Sequence, residues 1–324
     1  MKTSEIILSF IKKNRQASGQ ELAEHLEITD RAVRKQLSTL VEKGLLTKKG
    51  QPPLVYYQIS NTPETPIEKI ELSSEISKTI EGNYLFITPS GEKLVGIEGF
   101  QIWCKKQNLP YAKTATEYVE MLKKFSKYKK DYFINGFSKL KSTYKEVFID
   151  ELYYLDFYSI DRFGKTKLGQ LLLYAKQSQQ VPLISDLIND IAPAINKLIK
   201  QKNITSVGFI PPTVKRQVQF MSVLQNKLKL KTRKLLIKKI KTDIPVPQKS
   251  LSKLSDRIEN ASHSIVVADN ESHKNILLID DAVGSGSTLN ETAKQIREKG
   301  ICRGKIIALA ITGSFKGFDV ISEV

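Results

Sequence analysis

Apolar side chains recur every three or four positions in three stretches of the first sixty residues. This spacing places them on one face of a helix, so it predicts three amphipathic helices. The apolar positions are Ile6, Ile7, Phe10 and Ile11, then Leu22, Ala23 and Leu26, then Val33, Leu37, Leu40 and Val41. Thr29 or Asp30 can cap the third helix, and Gly44 is expected to end it. From Leu45 to Ile59 we expect two short strands around a Lys48-Lys49-Gly50 turn.

The outer face of the third predicted helix carries basic and small polar residues, with Ser38 among them. The order of three helices and a hairpin over residues 1–60 resembles the winged helix-turn-helix of bacterial repressors. That resemblance implies that the third helix enters the major groove of DNA and that the hairpin reaches phosphates. The candidate nucleic-acid contacts are Arg31, Arg34, Lys35, Lys48 and Lys49. A winged helix that serves dimerisation or protein docking, with these charges merely solvated, stays open as the alternative.

The middle segment, residues 61–149, gives weaker patterns. Residues 61–83 are polar and proline-containing at their start, which predicts a linker or an extension of the wing. Residues 84–88 and 93–96 predict a hairpin, because two apolar runs flank a Pro-Ser-Gly turn. From Phe100 to about Tyr158 the pattern is helical and aromatic, and we interpret its stripe as core packing. The stripe consists of Tyr118, Met121, Leu122 and Phe125.

Apolar runs in residues 150–324 predict buried strands at 206–210, 234–238, 276–279 and 304–311. The run at 276–279 leads directly into Asp280 and Asp281, and a small-residue loop follows at Gly284-Ser285-Gly286-Ser287-Thr288. Residues 289–299 have helix-forming composition. A strand, a glycine-rich loop and a helix in this order make an anion site, because backbone amides, hydroxyls and the helix dipole all face the ligand.

This loop lacks the Gly-Lys-Ser/Thr ending of a Walker motif and the glycine spacing of a dinucleotide fingerprint. Two carboxylates followed by such a loop resemble the phosphoribosyl pyrophosphate (PRPP) motif of type I phosphoribosyltransferases. The resemblance implies that Asp280 and Asp281 contact the ribose hydroxyls and that residues 284–288 hold the 5'-phosphate. Gly284 departs from the threonine that is common in the family. The implied fold is an α/β phosphoribosyltransferase-like parallel sheet with helices on both faces.

Two further stretches are similar to parts of that family. Residues 211–216, a Pro-Pro turn that ends in Lys215 and Arg216, resemble the pyrophosphate loop. Residues 246–260 resemble the mobile flap of competence protein F-type members, although the cysteine-rich zinc ribbon of those proteins is replaced here by the winged helix. The resemblance implies that Lys215, Arg216 and Arg257 stabilise the departing diphosphate. It also implies one Mg2+ near Asp280 and Asp281, bound directly or indirectly.

The net charge of +17 is concentrated at the carboxyl-terminal end, where residues 161–324 hold 27 basic and 14 acidic side chains. A basic domain of this kind attracts polyanions, either nucleic acid or a polyphosphate ligand, unless its lysines are only a solvated surface. The 2 cysteines and 3 histidines form no zinc motif, and no long apolar run or signal peptide is visible. We therefore expect a cytoplasmic protein with no structural zinc and no membrane segment.

A winged helix joined to a phosphoribosyltransferase-like domain resembles purine-operon repressors and some archaeal sugar-metabolism regulators. This favours a homodimeric regulator in which PRPP binding shifts DNA binding. Two alternatives stay open. One is an active Mg2+-dependent phosphoribosyltransferase with a scaffolding winged helix, since the flap-like segment is intact. The other is an effector of a retron-like anti-phage system that binds RNA or DNA. The expected domains are 1–60, 61–149 and 150–324.

Overall fold

The computed structural model describes residues 3–60, 72–212, 216–240, 244 and 246–314. The chain divides into two compact units, Met1–Lys69 and Ile70–Val324, which we call the amino-terminal and carboxyl-terminal units. The middle segment and the residues that follow it therefore lie in the same unit.

The amino-terminal unit contains three helices and a three-stranded antiparallel sheet of order β1-β3-β2. Its elements are α1 (Thr3–Asn14), β1 (Ala17–Ser18), α2 (Gly19–Leu26), α3 (Asp30–Glu42), β2 (Leu46–Gln51) and β3 (Leu54–Ile59). Thr29 caps α3 by accepting a hydrogen bond from the Ala32 amide. Gly44 follows α3 with φ +69°, a left-handed conformation that glycine adopts without strain. The three predicted helices and their buried faces are thus confirmed.

The turn of the hairpin lies at Pro52 and Pro53, so the predicted Lys48-Lys49-Gly50 turn is wrong. Lys48 and Lys49 lie within β2, where they pair with Tyr57 and Tyr56 of β3. The reason is that proline has no backbone N–H and cannot extend the ladder of hydrogen bonds. The two strands therefore continue up to the prolines, and the two lysines lie along a strand and not at its tip.

The carboxyl-terminal unit begins with a helix where the sequence predicted a linker. Ser73 caps α4, and Ile76 and Ile80 give that helix an apolar stripe that packs into the core. Residues 61–71 of the predicted linker lie outside the described residues. The elements up to residue 143 are α4 (Ser74–Asn83), β4 (Leu85–Ile87), β5 (Lys93–Val95), α5 (Gly96–Lys106), α6 (Tyr111–Ser126), β6 (Lys129–Lys130), β7 (Phe133–Asn135) and α7 (Phe137–Thr143). The predicted hairpin corresponds to β4 and β5.

The aromatic stripe of α6 packs in the core, as predicted. Tyr118 and Phe125 are buried, and the Tyr118 ring lies against those of Tyr84 and Phe100. The expectation of helix as far as Tyr158 is wrong, because β6, β7 and a further strand at 151–157 lie in that range. The aromatic residues of that further strand fit a sheet as well as a helix, because aromatic side chains are enriched in strands.

The remaining elements intersperse helices among the strands of an α/β unit. They are β8 (Glu151–Phe157), α8 (Lys167–Ser178), α9 (Val181–Gln201), β9 (Ser206–Phe209), α10 (Phe220–Leu228), β10 (Arg233–Lys234), β11 (Ile237–Lys239), α11 (Leu254–Ser264), β12 (Ile265–Val267), β13 (Ile276–Val283), α12 (Ser287–Glu298) and β14 (Ile306–Gly313). The strand predicted at 234–238 is divided in two. β10 ends at Lys234, and β11 pairs with β12 in a separate ladder.

One seven-stranded sheet of order β10-β9-β13-β14-β8-β7-β6 organises the unit. The first five of these strands are parallel, and β7 and β6 are antiparallel additions at one edge. Leu277 and Ile279 of β13 belong to a core cluster with α8, α9 and α10, whereas Leu278 belongs to a cluster with α12. The alternation of side chains along β13 therefore buries both faces of the sheet under helices.

The direction of winding changes between β9 and β13. The chain leaves β9 through α10 and returns as the outer neighbour β10, whereas it leaves β13 through α12 and returns on the other side as β14. The connections therefore diverge from the carboxyl ends of β9 and β13 and leave a crevice there. Ligands of open α/β sheets bind in such a crevice.

Candidate functional site

The acidic pair and the glycine-rich loop lie at this crevice. Asp280 and Asp281 occupy late positions of β13, where Asp280 pairs with Ala310 of β14. Gly286 has φ +77° and precedes the first residue of α12. Ser287 and Thr288 therefore form the first turn of α12 and do not belong to the loop itself. The amides of this turn have no carbonyl partner within the helix, which suits them to bind an anion.

Hydroxyl groups line the inner side of the loop. The Oγ atoms of Ser285 and Ser287 lie 3.0 Å apart, and both residues are buried. The side chain of Tyr144 lies beside them. Burial raises the pKa of Tyr144 to about 12, although Ser285 and Ser287 lower it in part. The Tyr144 hydroxyl is buried beside the loop, and Tyr144 is not among the residues that line the cavity there.

Arg257 of α11 brings a buried cation to the loop. Its residue exposure is 6%, and its Nε donates to the Leu251 carbonyl over 2.7 Å. The Nη2 atom has no hydrogen-bond partner among the described residues. Gln248 donates to the Arg257 carbonyl over 2.9 Å, and both side chains line the cavity formed by residues 280–289. Burying a guanidinium group with an unpaired nitrogen costs desolvation free energy. An anion bound in this cavity would pair with that nitrogen and offset the cost.

Lys176 of α8 forms an ion pair with Asp281, with 2.6 Å between Nζ and Oδ2. The sequence analysis missed this residue. The feature of the sequence that could have indicated Lys176 is a single charged residue directly after the apolar run Leu171–Ala175 of a mostly buried helix. Burial and the neighbouring carboxylate of Asp281 raise the pKa of Asp280, whereas Lys176 and Lys239 act in the opposite direction. Lys176 therefore pairs with one carboxylate of the acidic pair, and Lys239 interacts electrostatically with the other.

A second cavity adjoins the first and shares Gln248, Asp280 and Asp281 with it. Its other walls include Lys176 together with Pro211, Pro212 and Arg216 from the stretch after β9. The predicted site residues Asp280, Asp281, Arg216, Arg257, Gly284, Ser285, Gly286, Ser287 and Thr288 therefore line one continuous cleft. Lys215 lies outside the described residues.

Mg2+ prefers octahedral oxygen coordination, which one or two carboxylates commonly provide together with substrate phosphates and waters. In this cleft a bound diphosphate would have to supply most of the ligands. The described residues contain no group of three or more His, Cys, Asp or Glu side chains that could hold a metal. One carboxylate of the acidic pair is already held by Lys176.

The amino-terminal unit presents a different kind of surface. Arg31, Arg34 and Lys35 are exposed on one face of α3, opposite the buried Val33, Leu37 and Leu40. Arg34 makes a long contact of 3.5 Å with Asp30, and both side chains are largely exposed, so this ion pair contributes little. Lys48 and Lys49 are exposed along β2.

A family model described as an HTH domain matches residues 3–61. The match agrees with α2, the short turn and α3, and it indicates a DNA-binding transcription regulator. None of the curated proteins compared with the chain matches it. Among the helices of the described residues, none is both long and apolar enough to cross a membrane.

Proposed function

We propose that the protein is a PRPP-responsive regulator, in which a phosphoribosyl ligand bound in the carboxyl-terminal unit changes the affinity of the amino-terminal unit for DNA. The observation that carries the proposal is the cleft at the carboxyl ends of β9 and β13. It combines an acidic pair for ribose hydroxyls, a helix amino terminus for a phosphate, and the buried, incompletely paired Arg257.

Each part of the ligand has a matching group in this cleft. The first turn of α12, with Ser285 and Ser287, suits the 5'-phosphate, and Asp280 and Asp281 suit the ribose hydroxyls. Arg216 suits the diphosphate, because a guanidinium group binds phosphate oxygens strongly. The family resemblance assigns the same role to Lys215. The proposed fold is that of a type I phosphoribosyltransferase over residues 150–324, with residues 61–149 as an added segment and residues 1–60 as the winged helix.

Such coupling requires two conformations of the protein, one that binds DNA and one that does not. The ligand then only has to bind these two conformations with different affinity. Helix-turn-helix regulators bind paired half-sites as dimers, and we extend this arrangement to the present chain.

Calorimetric titration of PRPP tests the ligand assignment. The double variant Asp280→Asn with Asp281→Asn removes both charges but keeps the shape of the side chains, so we expect PRPP affinity to fall about 100-fold or more. The control is Asp186→Asn, an exposed carboxylate of α9 that pairs with Lys93 away from the cleft. Unchanged affinity in the double variant, with the same melting temperature as the control, would contradict the assignment.

One observation favours a second candidate, an active phosphoribosyltransferase. Gln248 and Arg257 from the flap-like segment line the cleft, and Asn260 holds that segment by donating to the Val246 carbonyl over 3.2 Å. Assay of diphosphate release from PRPP with a panel of nucleobases separates the two candidates. Diphosphate release by the wild type that is absent in the Asp280→Asn, Asp281→Asn variant supports the enzyme. PRPP binding without diphosphate release supports the regulator.

A further inference from the structure

The acidic pair presents an electrostatic problem. Asp280 and Asp281 are adjacent in sequence and both are half-buried at the end of β13. Two carboxylates that share a partly desolvated site repel each other. A proton on one of them, a metal ion or a basic side chain relieves that repulsion.

Lys176 is the basic side chain that the fold brings there. Its Nζ lies 2.6 Å from Asp281 Oδ2, and the two side chains are only 14% and 20% exposed. The backbone that carries this lysine is itself held. The Lys176 carbonyl, in the last turn of α8, accepts a hydrogen bond of 2.7 Å from the Arg216 guanidinium. The Gln179 side chain accepts another, of 2.9 Å, from the Val218 amide. These contacts keep the end of α8 against the cleft.

A second lysine interacts electrostatically with the other carboxylate. Lys239 of β11 is half-buried, and its charge interacts with that of Asp280. This interaction lowers the pKa of Asp280 only in part, so the ion pair of Lys176 with Asp281 is the main counter-charge at the site. A dication that approached Asp281 would meet the Lys176 ammonium, because both compete for the same carboxylate.

We infer that the chain supplies its own cations at this site, so that Lys176 stands where a divalent metal would otherwise neutralise the acidic pair and a phosphoribosyl ligand binds without Mg2+. The inference rests on the proposed function and departs from the metal dependence that the family resemblance implies. Asp281 then accepts from Lys176 with one oxygen and keeps its other oxygen for a ribose hydroxyl.

Calorimetry with two ligands tests the inference on the full-length protein. PRPP and ribose 5-phosphate are each titrated in EDTA and in excess Mg2+, and ribose 5-phosphate is included because it lacks the diphosphate that itself binds Mg2+. We expect affinities that differ by less than about threefold between the two conditions for ribose 5-phosphate. If ribose 5-phosphate binds in Mg2+ but not in EDTA, the inference is overturned and the proposed function stays intact. If neither ligand binds in either condition, both are wrong.

Variants of Lys176 sharpen the result. Lys176→Met should weaken ribose 5-phosphate binding in EDTA by about tenfold or more, and Mg2+ should now restore part of it. Lys176→Arg keeps the positive charge and should retain Mg2+-independent binding. The control is Lys305→Met, which breaks a lysine–carboxylate ion pair with Glu151 at the opposite end of the sheet. Lys176→Met with wild-type affinity in EDTA, and a melting temperature equal to that of the control, overturns the inference.

Discussion

The two units present positive charge in contrasting ways. On α3 the candidate contacts Arg31, Arg34 and Lys35 are exposed, close in sequence and anchored only by their own helix. In the cleft of the carboxyl-terminal unit, Arg257 is 6% exposed and Lys176 is paired with a half-buried carboxylate. Exposed, mobile cations suit a long polyanion whose phosphates are met in many positions. Buried, fixed cations suit one small anion of defined shape.

This difference predicts opposite responses to salt. Binding by exposed cations releases counterions and weakens steeply as salt rises. Charges buried in a cleft are screened much less. We therefore expect DNA affinity to fall steeply with ionic strength and phosphoribosyl affinity to change little. Steep salt dependence of both would contradict the contrast between the two surfaces.

Among the single cations of the two surfaces, the largest effect is expected at Arg257. Arg257→Ala removes the buried guanidinium beside the loop, so PRPP affinity in calorimetry should fall about 10- to 100-fold, the worth of one or two charge-assisted hydrogen bonds. Arg303→Ala is the matched control, because that arginine is exposed in the same unit. Equal losses in both variants would mean that general charge, and not the cleft, governs binding.

A smaller effect is expected on α3. Arg34→Ala with Lys35→Ala should weaken duplex binding about tenfold at low salt, and it should reduce the slope of log affinity against log salt by up to about 1.8, or about 0.9 for each lost phosphate contact. Lys12→Ala with Lys13→Ala removes the same charge from α1 and should leave most of the slope intact. If both double variants change the slope equally, α3 is not the recognition helix.

A third effect, on stability and not on binding, concerns a structural charge cluster at the other end of the sheet. Burial alone would raise the pKa of Glu151, but hydrogen bonds from Lys202, Tyr153 and Lys305 outweigh it and lower the pKa to about 2. A lowered pKa in the folded state stabilises the protein above the ordinary carboxyl pKa, and this stabilisation is lost as pH falls from about 4.5 toward 2. Urea unfolding should show Glu151→Gln less stable by about 1–3 kcal/mol at pH 7.

The same difference should shrink in acid. Wild type and Glu151→Gln should approach each other in free energy of unfolding as pH falls to about 2, where half of the wild-type carboxyl groups are protonated in the folded state. A difference that stays constant from pH 7 to pH 2.5 would mean that Glu151 contributes by packing and not by charge.

The contrast also explains what could be predicted from the sequence. The helices of the amino-terminal unit were predictable because their stripes and caps, such as Thr29 before α3, depend on neighbours within a few positions. The Lys48-Lys49-Gly50 pattern predicts a turn too early in the hairpin, because Pro52 and Pro53 are the residues at which the ladder cannot continue. The order of strand, loop and α12 was predictable for the same local reason.

The side chains that other elements bring to the cleft and its loop were harder to predict. Lys176 and Asp281 lie 105 positions apart, and only the packing of α8 against the sheet brings them together. Tyr144 reaches the loop from the segment after α7, which the sequence pattern treated as aromatic core. No spacing rule connects such residues, because their proximity depends on strand order and helix packing. Arg257 was named only through the resemblance of its segment to a known family.

The central claim is that ligand and DNA binding are coupled, and linkage makes that claim measurable from both sides. The measurement is the affinity for a duplex selected from a random-sequence pool, with and without saturating PRPP, paired with the affinity for PRPP with and without that duplex. We predict that each ligand changes the affinity of the other by the same factor, about fivefold or more. PRPP binding that leaves duplex affinity unchanged would contradict the account.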